Sequence, residues 1–252
     1  MKSSGPETLT IANKPDHEVL NLFSVPLYQA NIGVEVDEKK ILMGEKKWVG
    51  QEDGVLIQSE DDQILNLEGI ERIKNEISKH IKQYIELIIN PLEDDTEFLI
   101  TQSWVNIIND GFHHKHRHQN SILSGVFYVN TVNDFIEFDS PLAPLWDMLS
   151  VPSKYLNEYN SFNYREPVFP GKLILFPSYL THGVPGRFVT EGIDKQPRCS
   201  VSFNTFPVGR LGGSHEQHPG VNTKKYIDEG HSIKLGAQHL RNEVKIDSTQ
   251  SS

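Results

Sequence analysis

Between Leu65 and Asn90 the apolar residues Ile70, Ile73, Ile77, Ile81, Tyr84 and Ile88 recur at steps of three and four. That period places them on one stripe of an amphipathic helix. Lys74, Glu76, Lys79, Lys82 and Glu86 largely take the outer face, and Pro91 ends the segment. A helix with a single apolar stripe must cover something, and a sheet is the expected partner. Val34 to Trp48 mixes charge with Ile41, Leu42 and Met43 and is also predicted to be helical. Val19 to Tyr28 is the first strand-like segment, behind a polar tail from Met1 to Glu18. His80 lies beside the stripe with no partner ligand at helical spacing, so it is expected to be packed or half-exposed.

After Glu93-Asp94-Asp95 the pattern changes to short strands. Phe98 to Ile108, Ile122 to Asn130, Phe135 to Asp139, Lys172 to Pro177 and Arg198 to Phe206 are apolar or alternating runs separated by Gly, Pro, Asn and Asp. Many short strands without long helices between them indicate a sandwich, jelly roll or barrel. Leu142 to Pro170 is read as an insertion, rich in aromatic, Pro and Asn residues. Beyond Phe206 the pattern fades. The expected organisation is a tail (1–18), one domain (19–207) with helical support at 34–92 and a β core at 98–207, and an extension (208–252) whose end is disordered.

Composition narrows the partners. The 252 residues carry a net charge of −10, which opposes attraction to phosphate backbones. Nucleic acid is therefore not expected. The longest apolar runs, such as Tyr84 to Asn90, are too short to cross a bilayer, and no signal-peptide pattern opens the chain. The single cysteine, Cys199, cannot form an internal disulfide, so a cytoplasmic protein is expected. The oligomeric state is left open, a homodimer among the options.

The candidate chemistry starts with four histidines within six positions, His113, His114, His116 and His118. Imidazole is a common ligand of Zn, Fe, Cu and Ni ions. Alternate residues of an extended segment point the same way, so His114 with His116, or His116 with His118, could supply two ligands. A third must come from elsewhere. His182 is the candidate: a Gly-led apolar strand ends in Phe176-Pro177, and a short turn then delivers one His. Arg198 to Asn204 alternates, with Arg198, Ser200, Ser202 and Asn204 on one face and Cys199, Val201 and Phe203 on the other. One apolar face against helices and one polar face toward a cavity fit a hollow barrel that binds an acid. Arg198 would grip a carboxylate through a two-point fork, with Ser200 adding a hydrogen bond. His215 and His218 are read as a solvent loop.

The order of these pieces resembles the 2-oxoglutarate- and Fe(II)-dependent oxygenases. Those pieces are His116-x-His118, a strand with Tyr128-Val129-Asn130, Gly171-x-Leu173 leading to His182, and Arg198-x-Ser200. Within that superfamily the chain is most similar to the prolyl-hydroxylase-like branch, and to a group of bacterial and phage oxygenases there. The resemblance spans roughly Trp104 to Pro207. It implies a double-stranded β-helix, a jelly-roll or cupin-like barrel that is mainly β and backed by N-terminal helices. It also implies Fe(II), 2-oxoglutarate as cosubstrate, O2, and a small-molecule or peptide substrate that is hydroxylated. By position, His116 and His182 would hold iron, Arg198 the far carboxylate of the cosubstrate, and Tyr128 a second hydrogen bond to it. Ser200 and Asn106 would line the pocket, and no catalytic residue beyond the metal ligands is implied.

The chain departs from the family's usual two histidines and one carboxylate, because His118 stands at the carboxylate position. A three-histidine site is the expectation, with Glu137 or Asp139 as the alternative carboxylates and His113 and His114 left as loop residues. Three other readings compete. A metallo-β-lactamase-like hydrolase would need an Asp-His pair where Gln119-Asn120 stands. A non-catalytic, metal-binding cupin-like protein would not need Arg198-x-Ser200. A structural or virion protein would use the barrel alone.

Overall fold

The computed structural model describes residues 23–50, 56–91, 96–109, 111–148, 152–187, 196–212 and 221–222. The expected tail, the His215/His218 pair and most of the 208–252 extension lie outside the described residues. In chain order the first strands are β1 (Tyr28–Asn31), β2 (Trp48–Gly50), β3 (Leu56–Ser59) and β4 (Glu97–Ile108). Next come β5 (Gly111–His116), β6 (Leu123–Asn130), β7 (Asp134–Asp139) and β8 (Asn163–Val168). The chain continues with β9 (Lys172–Pro177), β10 (His182–Arg187), β11 (Arg198–Val208), β12 (Arg210–Leu211) and β13 (Val221–Asn222). The helices are α1 (Val36–Met43), α2 (Glu71–Tyr84) and α3 (Ala143–Met148).

Two antiparallel sheets face each other as a jelly roll. The larger runs β1-β9-β6-β11-β4-β3-β2 and the smaller β5-β10-β7-β8; β12 and β13 form a separate ribbon. The larger sheet is apolar on its outer face and over part of its inner face. Phe127, Val129, Leu173, Leu175, Val201 and Phe203 pack outward against Ile73, Ile77 and Ile81 of α2. From the same strands, Val126, Tyr128, Ile174 and Phe176 point inward to meet Ile136, Phe138 and Val168 of the smaller sheet. The alternation read from Arg198 to Asn204 is realised in this way, because β11 is paired on both sides and its two faces meet different layers.

The outer layer is tight enough to require a glycine in β6. A Cβ on Gly125 would collide with the ring of Phe203 and lie 2.8 Å from Leu175 Cδ2. Gly125→Ala is expected to cost about 1–3 kcal/mol through overpacking. A denaturant midpoint unchanged from the parent protein would contradict this.

Four local expectations are corrected. The first strand begins at Tyr28, the last residue of the predicted segment. The predicted stripe fails at its end: α2 passes into a π-helical turn over Ile85–Ile89, and the wider turn buries Ile85 and exposes Ile88. Leu142 to Pro170 is only partly an insertion, since β8 pairs with β7 from Asp134↔Val168 to Asp139↔Asn163 and completes the small sheet. Gly111–His116 forms β5, so His113 and His114 belong to a strand. His80 is half-buried as expected, with Nδ1 2.7 Å from the Tyr28 hydroxyl.

Candidate metal centre

Strand β10 delivers His182 directly opposite His116 of β5, and on its other side pairs His182 with Phe138 of β7. His118 follows just past the end of β5. Its backbone N–H donates to Ser178 O at 3.1 Å, and Ser178 N–H donates to Ile122 O at 3.0 Å, which clamps the turn carrying His118 onto the end of β9. Asn120, inside that turn, takes the left-handed backbone that Asn tolerates. Buried hydroxyls continue the clamp, with Ser178 and Ser124 Oγ atoms 2.8 Å apart and Ser124 donating to Asn204 Oδ1 at 2.9 Å.

The candidate ligand atoms of His116, His118 and His182 lie within 4.8 Å of one another. Backbone carbonyls set two of the rings. His116 Nδ1 is 2.8 Å from His114 O, and His182 Nδ1 is 2.9 Å from Leu180 O. A carbonyl only accepts, so each Nδ1 carries the proton and each Nε2 presents a lone pair, the arrangement that orients metal-binding histidines. His182 Nε2 faces His118 Nε2 at 3.3 Å.

Burial holds all three imidazoles neutral. It lowers His116, takes His118 to about 4 with help from neighbouring His116, and puts His182 well below its ordinary value. Phe176 packs edge-on against His182 with ring centroids 4.6 Å apart. Neutral, converging nitrogens, two of them with tautomers fixed by backbone carbonyls, fit a borderline cation such as Fe(II). The alternative carboxylates are turned away: Glu137 is bonded to Lys115 and Arg165, and Asp139 to Lys115. Among the described residues no Asp or Glu joins the triad.

The triad opens on a cavity of about 220 Å³, and Arg198, Ser200, Ser202 and Asn106 lie on its wall. Arg198 is not a free fork. Nη1 donates to Asp134 Oδ2 at 3.1 Å and to Phe135 O at 3.2 Å, and Nη2 donates to the Tyr128 hydroxyl at 3.3 Å. Both side chains of the Arg198–Asp134 pair are only 4% exposed. Tyr128 is wholly buried, and its hydroxyl is pushed up to about 12, chiefly by burial. Asn106 is largely engaged by the protein: Oδ1 accepts from Gln58 Nε2 at 2.7 Å and Trp104 Nε1 at 3.1 Å, while Nδ2 donates to Ser202 Oγ at 2.8 Å.

Of the residues singled out from the sequence, His116, His118, His182, Arg198, Ser200 and Asn106 line one cavity, and Tyr128 stands behind it, bonded to Arg198. Asp134, Gln58, Trp104 and His113 were missed. Asp134 opens β7 after the turn residue Asn133, which is in the left-handed region, and nothing in the local pattern names its partner 64 residues away.

The fold is a jelly roll in which three converging histidines, a set that could hold a metal ion, face a buried arginine across a small cavity. Residues 102–204 match the family model described as "Putative 2OG-Fe(II) oxygenase". That span contains the triad, Arg198, Tyr128, Ser200, Asn106 and Asp134. Similar solved structures include a 2OG-Fe(II) oxygenase-family oxidoreductase from Burkholderia pseudomallei (12% identity, 78% of this chain and 87% of that one, TM-score 0.46). A prolyl-4-hydroxylase from Pseudomonas putida is also similar (12%, 72% and 93%, 0.46). So is HygX from Streptomyces hygroscopicus with nickel and 2-oxoglutarate bound (9%, 79% and 91%, 0.47). No curated protein sequence matches the chain. No helix among the described residues is long and apolar enough to cross a membrane.

Proposed function

We propose that the chain oxidises a small-molecule or peptide substrate, with His116, His118 and His182 holding Fe(II) and Arg198 receiving the distal carboxylate of 2-oxoglutarate. The observation that carries this reading is the convergence of three neutral imidazoles across a small cavity from a buried arginine. When bound, Fe(II), 2-oxoglutarate and O2 supply a two-electron oxidation that hydroxylates a C–H bond and releases succinate and CO2.

The chain's own residues bind and orient. Tyr128 accepts from Arg198 Nη2, which leaves its own O–H proton to donate to the same carboxylate. Ser200 adds a hydroxyl on the Arg198 strand, and Asn106, held by Gln58 and Trp104, fixes the adjoining wall. Phe138, Phe176 and Ile136 keep water from the buried side of the triad. The cavity is smaller than the roughly 300–1,000 Å³ of pockets that enclose drug-sized ligands. It suits a five-carbon diacid at the metal, with the substrate's reactive group met at the mouth. The lone Cys199 is buried and unpaired, which suits the reducing cytoplasm.

Anaerobic titration with Fe(II) followed by 2-oxoglutarate tests this reading. The expected result is a weak visible charge-transfer band that grows only when both are present, and succinate release on admission of air. Metal binding without the band would replace the oxygenase reading with a non-catalytic, metal-binding jelly roll.

A further inference from the structure

The strand carrying His116 contains a β-bulge. His182 pairs with His116 and Val184 with His113, so Gly183 alone faces two residues, His114 and Lys115. An extra residue reverses the in-out parity of a strand. Residues 113 and 116, which would face opposite sides of a regular strand, both turn to the cavity, and His113 is part of its wall. The bulge is built into the sequence at Gly183: a Cβ there would lie 2.8 Å from His113 O and 3.2 Å from Lys115 Cα. Lys115 is directed outward, where it pairs with Glu137 and Asp139.

His113 differs from its neighbours in its hydrogen bonding. His116 and His182 each give one ring nitrogen to a carbonyl, whereas among the described residues no hydrogen bond reaches either ring nitrogen of His113. Its ring lies against that of His116, with centroids 4.5 Å apart. It is not one of the converging metal-ligand set. Its strand partner Val184 packs with Leu56 and Ile108, and Ile108 is the register partner of Arg198. His113 therefore flanks the space between the triad and Arg198. A half-buried ring N–H without a protein partner is left to pair with water or with a ligand that supplies the acceptor.

We propose that His113 is a cosubstrate-binding residue that donates a hydrogen bond to an oxygen of 2-oxoglutarate lying between the metal and Arg198. This rests on the oxygenase reading above. The charge-assisted bond adds affinity at the cosubstrate without touching the metal.

The test compares His113→Met with His113→Gln in the full chain loaded with Zn(II), a redox-silent metal. The two side chains have nearly the same shape and differ in the hydrogen-bond donor. Calorimetry should show 2-oxoglutarate bound about tenfold or more weakly by the Met variant than by wild type, with the Gln variant recovering most of the loss. Zn(II) affinity should be unchanged in both. Equal 2-oxoglutarate affinity in the Met and Gln variants would overturn the proposal, and so would parallel loss of Zn(II). Zn(II)-loaded wild type that binds no 2-oxoglutarate would overturn the oxygenase reading, and this inference with it.

Discussion

His182→Ala is expected to reduce Fe(II) affinity by more than about 100-fold, beyond the 10–100-fold typical of losing an outer partner of a metal ligand. Of the three imidazoles, His182 is the most deeply buried, and both its strand neighbours, β5 and β7, hold it in place. His114→Ala is the matched control. The His114 side chain is exposed, and the carbonyl that orients His116 belongs to the backbone and survives the substitution. The variant should keep its fold, because the layer between α2 and the large sheet lies on the opposite face of β9 and β6 from the triad. Anaerobic Fe(II) titration with a far-UV spectrum checks both points; affinity equal to that of His114→Ala would remove His182 from the metal set.

The same burial predicts the pH dependence. His118 is held near 4 and His182 well below 6.5, so protons compete poorly with the metal and Fe(II) affinity should change little between pH 8 and about 5. The metal-free protein should behave in the opposite sense. Unfolded histidines protonate as pH falls through about 6.5 while the folded ones do not, so the stability of the metal-free chain declines from there downward.

Local pattern carried the parts of the site that lie on regular strands. Arg198, Ser200 and Ser202 could be separated from Cys199, Val201 and Phe203 because β11 keeps strict alternation across the positions that matter. The triad's members were legible from residue type and order, but the geometry uniting them was not. β5 ends at His116, and His118 reaches His182 because the following turn is clamped by Ser178, not because two residues share a strand face. His113 was hidden for a related reason: a bulge changes parity without leaving a local mark, and its only trace is Gly183 on another strand. β8 escaped because it is an edge strand in which Tyr164, Arg165, Glu166 and Pro167 replace an apolar run, as edges tolerate. The π turn, likewise, moved burial from Ile88 to Ile85 beyond anything a 3.6-residue period could reveal.

Asp134→Asn is expected to destabilise the unliganded protein by about 3–5 kcal/mol, the cost of leaving one partner of a buried ion pair uncompensated. Asn keeps the local turn, since it can still accept from Phe135 N and bond the Thr131 hydroxyl, the contacts Asp134 now makes at 2.7 and 3.0 Å. What it removes is the charge facing Arg198. That charge bears on the departure noted at His118. Three neutral imidazoles leave a divalent ion at +2, and the Arg198–Asp134 pair is neutral, so the cavity balances a dianion as well as a site with a carboxylate ligand and a free arginine would. The negative charge has moved from the metal end to the arginine end. It follows that 2-oxoglutarate should stabilise Asp134→Asn more than wild type, because its distal carboxylate replaces the lost partner of Arg198. Thermal melts of the Zn(II)-loaded proteins with and without 2-oxoglutarate measure this directly, with Arg198→Ala as the variant whose melt the ligand should barely shift. A smaller ligand-induced shift in Asp134→Asn than in wild type would mean that Asp134 orients the guanidinium for the cosubstrate and does not offset its charge.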